Sequence, residues 1–162
     1  MRPLFITVFF TGLFLTSCSR QSPSSSSVFQ MRLVQDSATA ETEPLTIVHS
    51  LIDATSATLE TLNVRKEVLL DQSAVSSATV QTQAPSQAPM IEVVLTAAGQ
   101  KAFADITRRT VGKRLAIVVD GKLLVAPRIE AEIPGGRALI TGAFSMREAS
   151  ELAGKINDGM KK

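Results

Sequence analysis

The chain begins with an uncharged apolar run, residues 4–15, behind a single basic residue, Arg2. A serine-rich stretch follows, residues 19–27, with one proline, one arginine and no large apolar side chain. Beyond it, apolar positions recur with the short periods of strands and helices. Residues 28–34 place Phe29, Met31 and Leu33 on one face and predict a first strand. Residues 35–44 are polar and acidic and predict a loop. Residues 45–62 mix Thr, Ser and Ala with aliphatics, and neither period dominates. Residues 61–70 predict a strand. Residues 73–78 predict a single helical turn capped by Ser73. Residues 79–82 and 90–95 predict strands, separated by the proline-bearing loop 84–89.

Thr96 predicts the cap of a helix reaching to about residue 111, with Ala102, Phe103, Ile106 and Thr110 on one face. Gly112 marks its end, and Arg108 and Arg109 sit in the last turn, where the helix dipole favours cations. Residues 115–119 and 123–125 flank Asp120-Gly121-Lys122, the dipeptide Asp-Gly being a strong hairpin signal. Residues 129–133 and 138–141 flank a second turn at Pro134-Gly135-Gly136-Arg137. Ser145 and Glu148 have the spacing of a capping box, ahead of Met146, Ala149, Leu152, Ala153 and Ile156 at helical spacing. The order is strands, helix, hairpin strands, helix, joined by short turns. It predicts an α+β domain: a mixed, mostly antiparallel sheet with two main helices packed on one face.

Composition narrows the function classes. The 162 residues are 44% hydrophobic, with no Trp and no Tyr, enough for one core built from aliphatics and Phe. Seventeen basic residues face 15 acidic ones, and this near balance argues against a nucleic-acid partner.

There is one cysteine, Cys18. The apolar run before it is shorter than the roughly 20 residues a membrane-spanning helix needs, and its length suits a signal peptide. It ends in Leu15-Thr16-Ser17-Cys18, which resembles the bacterial lipobox: an aliphatic residue, two small residues and the cysteine to be lipidated. Residues 1–17 are therefore expected to be a lipoprotein signal peptide. Cys18 is the expected lipid attachment site, residues 18–27 a tether, and residues 28–162 the folded domain. The other reading of this terminus is an ordinary secretory signal with an incidental cysteine. Acyl chains at about 0.8 kcal/mol per buried methylene hold such an anchor firmly. The domain is then expected in the bacterial cell envelope, facing the periplasm or the outer surface.

Catalytic signals are absent from this reading. His49 is the single histidine, and no His/Cys/Asp/Glu cluster has metal-ligand spacing, so no metal is expected. Ser73, Ser76 and Ser77 lack the Gly-x-Ser-x-Gly turn of a nucleophile and read as cap or turn residues. Gly112-Lys113-Arg114 lacks the spacing of a phosphate loop. Arg108, Arg109, Lys113 and Arg114 form the basic cluster of the sequence, read as a solvated helix end. No catalytic residue, small-molecule cofactor or enzyme activity is expected.

Residues 93–152 resemble a known family. The stretches that carry the likeness are Leu95-Thr96-Ala97-Ala98-Gly99, Phe103, and Gly112 through Lys122 with its Asp120-Gly121 turn. They continue in Val125-Ala126-Pro127, Ile133-Pro134-Gly135-Gly136, and Ile140 through Ser145, closing with Glu148, Ala149, Leu152 and Ala153. In order and spacing they resemble the mobile head of the first large periplasmic domain of SecD, an auxiliary subunit of the bacterial Sec export machinery. Residues 29–34 and 67–78 resemble the start of that domain. The resemblance implies a binding module that contacts unfolded polypeptide or Sec translocon components. SecD's proton-driven action depends on charges within its membrane-spanning helices. No apolar run after Cys18 is long enough to span, so none of those roles carries over. A scaffold lipoprotein bound to one dedicated partner is the alternative that the residues leave open.

Overall fold

The computed structural model describes residues 28–49 and 58–161. The expected signal peptide, Cys18, the expected tether and part of the ambiguous stretch lie outside the described residues. The strands are β1 (Phe29–Gln35), β2 (Thr42–His49), β3 (Thr58–Asp71), β4 (Val75–Gln83), β5 (Ala88–Leu95), β6 (Leu115–Val119), β7 (Lys122–Val125) and β8 (Arg137–Thr141). The helices are α1 (Ala97–Arg109) and α2 (Met146–Gly159). All strand pairs are antiparallel, and the fold is α+β as expected. The strands form two sheets, β2-β3-β1-β6-β7 and β4-β5-β8. The division falls at a 3-10 turn, Gln72–Ala74, which ends β3 and starts a new sheet with β4. Asp71 caps that turn by accepting from the Ser73 N–H at 2.9 Å and the Ser73 hydroxyl at 2.7 Å.

The main core lies between the sheets. Phe29, Met31 and Leu33 of β1 join Leu115, Ile117 and Val119 of β6 from one side. Ile91, Val93 and Leu95 of β5, Phe103 and Ile106 of α1, and Ala149, Ala153 and Ile156 of α2 close it from the other. A smaller cluster on the back of the first sheet contains Ile47, Val64, Ala116, Val118 and Leu123. The two edge strands of that sheet, β2 and β7, come against each other. The sheet therefore curls around the small cluster, which explains why every residue of β6 is buried. A strand buried on both faces reads as a continuous apolar run, and Leu-Ala-Ile-Val-Val is one.

Several local expectations change. Residues 75–78 are strand, not helix, because Asp71 rather than Ser73 provides the cap and the helical turn lasts three residues. The ambiguous stretch contributes most of β2 and the start of β3, and His49 sits at the end of β2 opposite Thr58. Residues 129–133 form no strand. Their N–H groups are used elsewhere: Ile129 donates to the Lys113 carbonyl at 2.8 Å and Ile133 to the Thr107 hydroxyl at 3.0 Å. Only Arg128 pairs, in a single bridge with Arg114. Helix α1 is rotated from its expected face. It buries Gly99, Phe103, Ile106 and Thr107 and leaves Ala102 exposed. In α2, Met146 is exposed and Ala149, Ala153 and Ile156 are buried. The hairpin turn is as expected, with Asp120 at φ 52° and Gly121 at φ 74° matching a type I′ turn. The capping box of Ser145 and Glu148 is formed in both directions.

Candidate functional site

Strand β3 is longer than its partner. It has 14 residues against 8 in β2, and the two pair only from Thr58 to Arg65. The next rung is a loop contact, the Lys66 N–H donating to the Glu41 carbonyl at 2.8 Å. Past it, residues 67–71 pair with β1 alone, Val68 opposite Arg32, Leu70 opposite Met31 and Asp71 opposite Gln30. On their other side no strand lies among the described residues. A cleft of about 330 Å³ occupies that space, walled by Val68, Leu69 and Asp71 on one side and by Ala98 and Ala102 of α1 on the other. Asp71 is the one charged residue of its lining, and the Ser73 groups already engage its carboxylate. A second depression lies beside Ala40, Glu41 and residues 65–67.

The helix wall of the cleft is fixed. Thr96 donates its N–H to the Ala74 carbonyl at 2.8 Å, and its hydroxyl accepts from the Gly99 N–H at 3.1 Å. A Cβ on Gly99 would stand 2.4 Å from the Ala74 carbonyl oxygen, so only glycine lets α1 sit this close to the turn. That approach buries Gly99 and turns Ala98 and Ala102 toward the cleft. Also on α1, Gln100 donates from Nε2 to the Pro134 carbonyl at 2.7 Å.

The end of the domain nearest the expected tether is also pinned. Asp120 donates its N–H to the Val28 carbonyl at 2.7 Å, and Phe29 donates to Gln72 Oε1 at 3.1 Å. Gln72 in turn donates from Nε2 to the Ile156 carbonyl at 2.6 Å, so one buried amide joins β1 to α2. Asp120 also pairs with Lys155 at 2.5 Å. The hydrogen bond from Lys155, and then its charge, hold the Asp120 carboxyl below the usual carboxylate range.

The basic cluster expected from sequence is divided. Arg108 and Arg109 both pair with Asp105, whose carboxyl is lowered first by the Arg108 hydrogen bond and then by the Arg109 charge. Arg114 points elsewhere, to Glu60 Oε1 at 2.7 Å and to the Ala126 carbonyl at 2.9 Å. With Arg65, Lys113 and Arg128 it lines a separate depression of about 510 Å³ that also holds Asp36. The reading from sequence missed Arg32, which is 5% exposed and donates to the Arg65 carbonyl at 2.5 Å and Glu43 Oε1 at 2.6 Å. A charge inside the run Phe-Gln-Met-Arg-Leu-Val was the available signal. Ser73 serves the Asp71 cap, and Ser76 and Ser77 lie on β4. Among the described residues no three His, Cys, Asp or Glu side chains gather as metal ligands, and no helix is long and apolar enough to cross a membrane.

The walls of the cleft, β3, the 3-10 turn and α1, fall inside a stretch that has known relatives. Residues 48–160 match the family model of the SecDF P1 head subdomain. The chain belongs to that family. Protein translocase subunit SecD of Leptotrichia buccalis is 45% identical over 92 residues, 57% of this chain and 22% of its own length. The SecDF of Thermus thermophilus is 45% identical over 71 residues, 44% of this chain and 10% of its own. The chain thus spans less than a quarter of either relative. A solved SecDF structure, described as that of a membrane component that enhances protein export, superposes with a TM-score of 0.61. It is 26% identical and covers 82% of this chain and 63% of the solved one. The SecDF head is thus the unit shared with these proteins, and the resemblance drawn from the Leu95–Gly99, Asp120-Gly121 and Gly135-Gly136 stretches is the correct one.

Proposed function

We propose that this chain is a lipid-anchored extracytoplasmic binding module that contacts polypeptide chains and assists Sec-dependent export. Cys18 carries the lipid, and the domain faces the periplasm or the outer surface of the envelope. Membership of the SecDF head family supports the Sec connection. The observation that carries polypeptide contact is the cleft beside residues 67–71, where an unpaired strand edge faces small, uncharged helix side chains. Such an edge offers backbone hydrogen bonds that any sequence can use, as a carrier of diverse exported chains requires. The proposed role is binding rather than catalysis or proton-driven movement.

The test is photo-crosslinking in cells of the full lipidated chain, with reactive residues at Ala98, Ala102 and Leu139, and partners identified by mass. Translocon subunits together with many exported chains at Ala98 and Ala102 are the expected result. One abundant envelope partner and no exported chains would instead establish the scaffold reading. Labelling with a radioactive fatty acid, lost in Cys18→Ser, tests the anchor separately.

A further inference from the structure

Three features compete for further meaning: the depression lined by Arg65, Lys113, Arg114 and Arg128, the outer edge of β8, and the cleft beside β3. The first has acids paired to its cations, Glu60 on Arg114 and Glu41 and Glu67 on Arg65, and so offers little unanswered charge. The second is five residues long and opens with Arg137, a short and charged edge of the kind that discourages pairing. The cleft beside β3 runs along an edge of similar length, but there the small side chains of Ala98 and Ala102 face the strand.

Building on the proposed function, we infer that the cleft binds its polypeptide by strand addition: a short extended segment fills the row that continues β2 along residues 67–71, which no strand occupies among the described residues. The sheet already defines that row. β2 occupies it opposite Thr58–Arg65, and the Glu41 rung at Lys66 ends it. One depression lies beside residues 65–67 and the cleft lies beside residues 68–71. Backbone groups at the base of a cleft select a chain in extended conformation, because only that conformation presents donors and acceptors in register. Ala98 and Ala102, exposed and small, leave room for the added backbone and for short side chains on its helix-facing side. The carboxylates along the row are engaged, Asp71 by Ser73 and Glu41 and Glu67 by Arg65, so the matching segment is uncharged. The ligand class is therefore an uncharged extended segment rich in small and β-branched residues, free of proline.

The experiment titrates the full chain with a capped heptapeptide that alternates valine with serine and alanine, and with the same peptide N-methylated at every internal residue. Binding is read by calorimetry and by amide hydrogen exchange. The unmodified peptide is expected to slow exchange at residues 67–71. N-methylation, which removes the backbone donors, is expected to weaken binding by about tenfold or more. Ala98→Arg is expected to weaken it similarly while leaving the thermal midpoint unchanged. Binding without protection at residues 67–71, or protection at β8 instead, would overturn strand addition while leaving polypeptide contact standing. No binding at millimolar peptide would overturn it too. If the crosslinks to exported chains were also missing, the underlying function would fall with it.

Discussion

The outer edge of β4 and the free end of β3 each lie beside a helix, and the two are treated differently. On β4, Asn157 of α2 reaches across to Ala78, accepting its N–H at 2.9 Å and donating to its carbonyl at 2.8 Å. One side-chain amide thus replaces a rung of the missing neighbouring strand and blocks pairing there. On β3, the neighbouring helix presents Ala98 and Ala102, which have no polar atoms to offer. Among the described residues no strand pairs with the backbone beside them. The same architectural problem, a strand edge facing a helix, is closed in one place and left available in the other. The open one lies where an extended chain has room.

The largest effect is expected at the closed edge. Ile156 is fully buried next to Asn157, and Ile156→Ala should cost about 2–5 kcal/mol in urea unfolding, loosening α2 over β4. Asn157→Ala leaves the part-buried Ala78 N–H and carbonyl without their partner. It should cost about 1–3 kcal/mol, with faster exchange at Ala78 and self-association rising with concentration. At the open edge, Gly99→Ala drives a Cβ into the Ala74 carbonyl and should cost about 1–3 kcal/mol by pushing α1 away from the turn. The matched control is Gly154→Ala in α2, where a Cβ meets nothing within 4 Å and helix propensity favours alanine.

A smaller effect comes with acid. The Ser145 hydroxyl and then its backbone N–H hold the Glu148 carboxyl below its ordinary value, at the start of the helix that carries Asn157. A lowered folded-state value means the stabilisation is present above the ordinary glutamate range and is lost as pH falls through the folded value. Melts of the native chain should therefore fall toward acid more steeply than those of Glu148→Gln. Ala98→Arg, on an exposed helix position, should change stability by less than about 0.5 kcal/mol while blocking the cleft.

Local chemistry made much of the fold legible. The Asp120-Gly121 hairpin, the Thr96 cap and the Ser145–Glu148 box depend on residues a few positions apart, and each forms as its sequence pattern indicates. The strand near residue 129 was misjudged because its donors are taken by Lys113 and Thr107, partners distant in sequence. Residues 75–78 were misjudged because Asp71, not Ser73, ends the preceding strand. The cleft was not legible at all. It depends on the β2–β3 pairing ending at Thr42 while β3 runs on to Asp71, and on the close approach of α1 to the turn that Gly99 permits.

The sequence by itself determined the apolar run with its lipobox-like ending at Cys18, the α+β class, both helices with their caps, and the SecD-like series of turns. These follow from short-range spacing, which the chain carries wherever it folds. Tertiary structure decided the division into two sheets, the curl that buries both faces of β6, the face α1 buries and the vacant row beside residues 67–71. Those depend on which distant segments meet, and backbone hydrogen bonds do not record their partners in side-chain pattern.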